Sequence, residues 1–318
     1  MEFAFELALA ADLERTTDWV VARQLGAAVA EPGARVMDIV GVVPSDGVTE
    51  RAAITAERIP SLAIESDAGV GEAIAVGDAL DCGPDRAKSV VERAVETGFF
   101  ERERRGGRTY VRQTTRYPDW ADRLVGVENK PDLGTPGDLE QQLRFDAALG
   151  LFDELWLATG SYVTGAHLNR LPDAVGVWRF DPETGERETV REPSPLAVAD
   201  PGVEPVADRP LRTDVELVSP AEKARKRRRI AERAWGKGWR TYAFPGCTQC
   251  SATSDGLPAC GFYGEVVDPA TDCGPDCPGY EADETPDIDL DALRDDRTPW
   301  LREPAGVARE QAGLDRFG

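Results

Sequence analysis

The sequence predicts an α/β fold with three parts: a split core, an inserted helix-and-hairpin module, and a C-terminal cysteine-rich segment. Three observations carry this expectation. Periodicities run helix, strand, strand and, after a long interruption, strand, helix, strand. Two of those apolar strands hold charges that a plain core strand does not: Asp38 in one, Glu128 and Lys130 at the end of another. Five cysteines gather on Gly- and Pro-rich turns between 247 and 277.

Each element has a local reason. Residues 3–14 (FAFELALAADLE) read as a helix, and 18–25 (DWVVARQL) as a strand. Pro32-Gly33 marks a turn before the strand 34–43 (ARVMDIVGVV), which ends the first part of the core, residues 1–43. The inserted module spans 44–119. Short helical patterns lie at 58–67 and 72–81, and 84–97 is the clearest helix, with proline in its first turn and Gly98 just beyond its end. Two alternating strands then meet at Gly106-Gly107, a hairpin signal. Short helices followed by a basic hairpin resemble a winged helix. The core resumes over 120–195 with a strand at 123–129, a helix at 137–152, a strand at 154–159, and a hairpin of 174–180 and 186–191. The chain turns Pro-, Val- and Asp-rich from 192, and 196–221 reads as a linker. A basic helix (222–235) and the cysteine segment make up 222–280, and 281–318 is an acidic tail.

Composition narrows the class. Among 318 residues, 58 acidic against 37 basic give a net charge of −21 and a pI near 4.5. Such a surface self-repels at low salt, whereas at molar salt the Debye length shrinks to about 3 Å. The acid excess, with few lysines among many arginines, points to a salt-rich cytoplasm. Apolar residues at 41% and seven tryptophans support a packed core rather than disorder. No run of about 18 apolar residues suggests a membrane span, and Met1 to Glu6 lack the basic start of a signal peptide. In a reducing cytoplasm, six cysteines suggest metal or redox work more than disulfides.

Cutting a phosphodiester needs hard cations to polarise the phosphate, carboxylates to hold them, and a group that orients the attacking water. Glu128 and Lys130 lie two apart on a strand and so share a face. Asp38, flanked by Met37 and Ile39, needs a partner or a metal. Pairing of the two strands would let all three converge. Alternatively, Glu128 and Lys130 line a solvated edge and Asp38 is a structural ion-pair partner.

On these residues and this element order the chain resembles the PD-(D/E)XK, or restriction-endonuclease-like, nuclease superfamily, whose core runs αβββαβ. The resemblance covers about half of the chain. It implies that Asp38 is the metal-binding aspartate, Glu128-Asn129-Lys130 the E-x-K element, and Glu6 the acidic residue of the first helix. Gln142, or Gln141, would be the glutamine of the helix after the lysine. The long separation of Asp38 from Glu128 is accounted for by the inserted module. The chain is also similar, over nearly its whole length, to an uncharacterised protein family of haloarchaea. The implied activity is Mg²⁺- or Mn²⁺-dependent hydrolysis of DNA in repair or processing. The alternative is a catalytically inactive DNA-binding regulator or scaffold with a zinc knuckle.

Cys247-x2-Cys250 and Cys273-x3-Cys277 are thiol pairs on tight turns, the way four-cysteine zinc sites are built, with Cys260 as satellite or alternative ligand. An iron–sulfur cluster takes the same ligands. Lone Cys82 reads as packing. His167 is the only histidine, which excludes a His-based triad or a multi-histidine zinc site. Two basic islands stand out. One is 102–116, with Arg102, Arg104, Arg105, Arg108, Arg112 and Arg116. The other is 223–240, where Arg225, Lys226, Arg228 and Arg229 are flanked by Trp235, Trp239 and Tyr242. Arginine forks and aromatic faces suit nucleic acid, whereas pairing with the abundant carboxylates is the plain alternative.

Overall fold

A computed structural model describes residues 2–297 apart from 32, 53–58, 115–116, 136 and 210. Pro32, Arg58 and Arg116 of the elements expected above therefore lie outside the described residues, as does 298–318 of the acidic tail.

The first part of the core is α1 (Glu2–Thr16), β1 (Val20–Gly26) and β2 (Val36–Pro44). The inserted module follows as α2 (Val48–Ala52), α3 (Ser61–Ile64), β3 (Ile74–Ala75), α4 (Val76–Ala79), α5 (Pro84–Glu96), β4 (Phe100–Arg105) and β5 (Arg108–Gln113). Next come β6 (Ala121–Asn129), α6 (Leu139–Leu149), β7 (Glu154–Thr159), α7 (Gly165–Leu168), β8 (Gly176–Phe180) and β9 (Arg187–Arg191). The six core strands form one mixed sheet in the order β1-β2-β6-β7-β8-β9. β1, β2 and β6 pair antiparallel, β6, β7 and β8 parallel, and β9 antiparallel on β8. The central strands β2, β7, β8 and most of β6 are apolar on both faces because both faces are covered, whereas the edge strand β9 is polar. Phe5, Leu9 and Leu13 of α1 pack on Ile39, Val127 and the stacked Trp156–Trp178 pair. Leu143 of α6 and Ile230 and Trp235 further on pack on Val40, Leu155 and Val177. A Cβ at Gly176 would meet the Trp156 ring at 2.5 Å, so that close approach requires glycine.

In the module, β3, β5 and β4 make a three-stranded sheet in that order. Gly106 and Gly107 both take positive φ (57° and 81°), as a two-residue hairpin loop of matching twist requires. The helix expected over 72–81 is instead split. Ile74 and Ala75 pair with Val111 and Tyr110 as an edge strand, and only Val76–Ala79 stays helical. Tertiary pairing outweighs a weak local preference there. Of 58–67, only the short α3 is helical.

The stretch 196–221 is not a plain linker. It holds the antiparallel hairpin β10 (Gly202–Arg209) and β11 (Arg212–Val218). The hairpin is pinned by Glu204, whose buried carboxylate accepts the main-chain N–H groups of Val29, Ala30 and Glu31 at 2.7, 2.9 and 3.1 Å. The Pro-rich composition hid a hairpin whose buried residues, among those described, are Gly202, Glu204 and Val218. Glu204→Ala orphans those three amides, and its expected cost is about 2 kcal/mol in denaturant unfolding. A change below about 0.5 kcal/mol would show that water replaces the carboxylate freely.

Then come α8 (Pro220–Lys237), β12 (Cys250–Ala252), β13 (Pro258–Cys260), β14 (Glu265–Val266) and α9 (Leu290–Arg297). The described part of the expected tail is thus not loose. Arg294 of α9 bonds the Trp235 carbonyl and Arg297 pairs with Asp255 at 2.6 Å. Between module and core, Glu232 of α8 gathers four groups: Arg51 (3.0 Å), Tyr117 OH (2.5 Å), Trp120 Nε1 (2.6 Å) and, through Arg51, the Trp235 ring. No helix among the described residues is long and apolar enough to cross a membrane.

Candidate active site

The antiparallel ladder of β2 and β6 runs as far as Ile39 and Val127. Asp38 and Glu128 are the next residue on each strand, so the ladder delivers two carboxylates to one place at its end. Asp38 Oδ2 accepts from the Asn129 main-chain N–H (2.9 Å) and its Nδ2 (3.0 Å). Gln24, across on β1, donates its Nε2 to Glu6 Oε1 (3.0 Å) and more distantly to Asp38 Oδ1 (3.4 Å). Glu6 also receives Arg23 Nε at 2.8 Å. Among the described residues Gln24 is the sole non-glycine with a positive φ, at 54°. Its carbonyl accepts from Lys237 Nζ at 2.8 Å. Backbone strain of this kind concentrates at functional sites.

Glu128 Oε2 accepts from Arg35 Nη2 at 2.5 Å, and the same guanidinium reaches Asp146 of α6 at 2.7 Å. One cation thus serves two buried carboxylates. Burial, then the charge of Asp38, pushes the Glu128 carboxyl up to about 8 against the pull of Arg35. Burial pushes Asp38 up to about 6, with Asn129 opposing and Glu6 adding to the rise. Burial raises Asp146 as well, against Arg35. Burial works against the Arg35 charge, but Asp146 and Glu128 outweigh it and hold the guanidinium above its ordinary value. Beside these carboxylates, Asn129 Oδ1 is buried with no hydrogen-bond partner among the described residues. Two carboxylates that resist joint ionisation and an unpartnered amide oxygen make a hard-oxygen donor set, the chemistry of a Mg²⁺ or Mn²⁺ site. As the side chains stand, no three His, Cys, Asp or Glu residues among those described converge closely enough to hold an ion.

Gln24 links Asp38 to Glu6, and Glu128 lies at the end of the ladder within electrostatic reach of Asp38. Lys130 is one step removed, its ammonium 3.4 Å from Glu2 Oε1. Gln142 shows no side-chain hydrogen bond to this group. The contribution of α6 comes instead from Asp146, one turn further along the same face. Sequence reasoning missed Asp146, Arg35, Gln24 and the role of Asn129. Asp146 was legible: Leu139, Leu143, Asp146 and Leu149 form the buried stripe of α6, and a carboxylate on such a stripe needs a partner. His167 caps its own short helix by accepting from the Thr164 N–H. Cys82 packs half-buried against the core.

The basic islands separate. On the hairpin, Arg102, Arg104 and Arg108 are exposed and form no ion pair among the described residues. Arg105 pairs with Glu103 (2.5 Å) and Arg112 with Glu101 (2.6 Å). The α8 set is engaged by the loops beside it, although Arg228 stays exposed and the Arg225 side chain is 41% exposed. Arg229 meets Glu65 at 2.9 Å, Arg228 bonds the Ser66 carbonyl, and Arg225 lies 3.6 Å from Asp67. Trp235 and Trp239 are buried, and Tyr242 donates to the Gly256 carbonyl, which leaves no free faces for base stacking. The cause is packing: α8 lies along β1, and its long side chains span to the loops around it. Burial, then Arg233 and Arg229, pushes the Lys226 ammonium down to about 8. The fold therefore penalises its charged form at neutral pH, and the penalty fades as pH rises from about 8 toward 10.5. Lys226→Met is expected to stabilise the protein by about 1–2 kcal/mol at pH 7. Loss of stability in denaturant unfolding would mean that the ammonium is held by compensating contacts.

The five C-terminal cysteines are all free thiols. Cys250 and Cys260 are direct cross-strand partners on β12 and β13, and Cys247 bridges to Ala282. Cys277 Sγ lies 3.6 Å from the Tyr263 hydroxyl.

No solved structure and no curated protein matches the chain. A family model described as a family of unknown function (DUF5787) matches residues 20–282, a span that includes β1, the module, Asp38, Glu128 and all five cysteines. The chain belongs to that family of unknown function, DUF5787.

Proposed function

We propose that this protein is a Mg²⁺- or Mn²⁺-dependent nuclease of a salt-rich cytoplasm that hydrolyses phosphodiester bonds in DNA, in repair or processing. One observation carries the reading: a buried carboxylate (Glu128) and a half-buried one (Asp38), both with raised pKa, lie with an unpartnered amide oxygen at the end of the β2–β6 ladder. The order α1, β1, β2, β6, α6, β7 supports a restriction-endonuclease-like core. The arrangement of α5 with the β3-β5-β4 sheet supports a winged-helix module. Asp38, Glu128 and Asn129 Oδ1 would hold the cation, which polarises the phosphate and the attacking water. Lys130 places a positive charge near the negative charge that develops on the phosphate. Glu6 and Gln24 orient Asp38. Arg104 and Arg108 at the hairpin tip, with Arg105, meet the DNA backbone.

The test is cleavage of labelled single- and double-stranded DNA in molar KCl with Mg²⁺ or Mn²⁺, beside Lys130→Ala. Metal-dependent cutting that the variant loses supports the reading. Equal cutting by both overturns it. A second reading, an inactive DNA-binding regulator or scaffold, is favoured by the 2.5 Å contact of Arg35 with Glu128, which occupies one ligand oxygen. DNA binding without cutting would select it.

A further inference from the structure

The segment from Gly246 to Tyr280 is ordered with little to order it. Its strands are three, three and two residues long. Its buried apolar side chains are Cys247, Leu257, Pro258 and Val267, while Phe262 and Tyr263 are about half exposed. It has no disulfide. Leu257 and Val266 tie its first half to the main core, whereas 271–280 has no buried side chain, and a small turn of this kind is where a metal staple acts. The thiols are placed for one. Cys250 N–H bonds the Cys247 carbonyl in a tight turn at 2.9 Å, and β12 sets Cys250 directly across from Cys260. Direct cross-strand partners point to one face of a sheet. The turn carrying Cys273 and Cys277 returns to this face, since the Cys277 sulfur meets Tyr263 just after β13.

We propose that the segment is built around one zinc ion held by Cys247, Cys250, Cys260 and Cys273, with Cys277 outside the ligand set beside Tyr263. The backbone orders the set: the Cys247–Cys250 turn, the Cys250–Cys260 cross-strand pair, and Cys273 in the turn that returns at Cys277, whose own sulfur is engaged with Tyr263. Four thiolates without a cation would repel; a Zn²⁺ ion halves their charge and holds each sulfur by a bond. Zinc fits better than an iron–sulfur cluster because three of the four thiols are half-exposed, and zinc has no redox chemistry for water or oxygen to disturb. The sulfurs do not share one centre as they stand, so binding draws the Cys273 turn inward and releases the thiol protons to solvent. This site is independent of the nuclease reading.

The experiment uses the full-length protein purified without chelator. Zinc, iron and acid-labile sulfide are measured, and thiol reactivity is followed before and after chelation. About one zinc per chain is expected, without sulfide, together with thiols that react only after chelation. Cys250→Ser and Cys260→Ser should weaken zinc retention at least about tenfold, and Cys277→Ser should retain it. If the serine variants do not fold, Co²⁺ loaded into the unaltered protein should give intense thiolate-to-metal absorption. Iron with sulfide overturns the zinc assignment. A metal-free protein with freely reacting thiols overturns the site. Retention by Cys260→Ser with loss by Cys277→Ser overturns the ligand set.

Discussion

Glu232→Gln lowers stability by about 3–5 kcal/mol. The Glu232 carboxylate is fully buried and is the counter-ion of Arg51, itself without solvent exposure. Glutamine keeps the shape and can still accept from Tyr117 and Trp120, so the packing survives. What is lost is the charge, and Arg51 is left as an uncompensated cation in the interior. In a chain of this size the change corresponds to a fall in midpoint of roughly 5–7 °C in thermal unfolding. Adding Arg51→Met should recover part of the loss, because the unpaired charge goes with the arginine. No recovery in the double variant would mean that shape, and not charge, governs the contact between module and core.

Glu128→Gln separates stability from activity. The Glu128 carboxyl stands at about 8 in the fold against 4.5 unfolded, and Asp38 at about 6 against 3.8. Both folded values are raised. The stability contributed by their bound protons is therefore complete below the unfolded values and is lost as pH climbs through 6 and then 8. Metal-free protein should weaken over that window, and divalent cation should restore it. Glutamine cannot ionise, and it leaves Arg35 paired one-to-one with Asp146. Glu128→Gln should therefore flatten the pH dependence and exceed the unaltered protein by about 1–3 kcal/mol at pH 9 without metal. On the proposed nuclease reading, cleavage should fall about a hundredfold or more, since even outer-shell changes at metal sites cost ten- to a hundredfold. A variant less stable at pH 9 would show that Arg35 needs both carboxylates and that Glu128 is a structural partner.

Much of the core could be read from periodicity because α1, β1, β2, β6 and β7 are strongly apolar on regular spacings, and Asp38 and Glu128 stood out as charges within them. The hairpin β10–β11 could not, since its buried residues, among those described, are a glycine, a glutamate and a valine. The orientation of α8 was also hidden. An arginine-rich helix looks the same in sequence whether its guanidinium groups face solvent or reach carboxylates such as Glu65 and Asp153, and only the surrounding loops decide. Arg35 was invisible for a related reason, because its two partners lie 93 and 111 residues away.

The ends of the inserted module are tied to each other. Ser45 N–H donates to the Trp120 carbonyl at 2.7 Å, and its hydroxyl to the Asp119 carbonyl at 2.5 Å. This clasp changes the order in which the protein assembles. Joining β2 to β6 across an unfolded insertion would carry the entropy of closing a long loop. Once the module has folded, its ends already meet and the two strands need only zip from the clasp inward. Asp38 and Glu128 lie at the far end of that ladder, so the paired carboxylates come together last, after the insertion has set the register on which they depend.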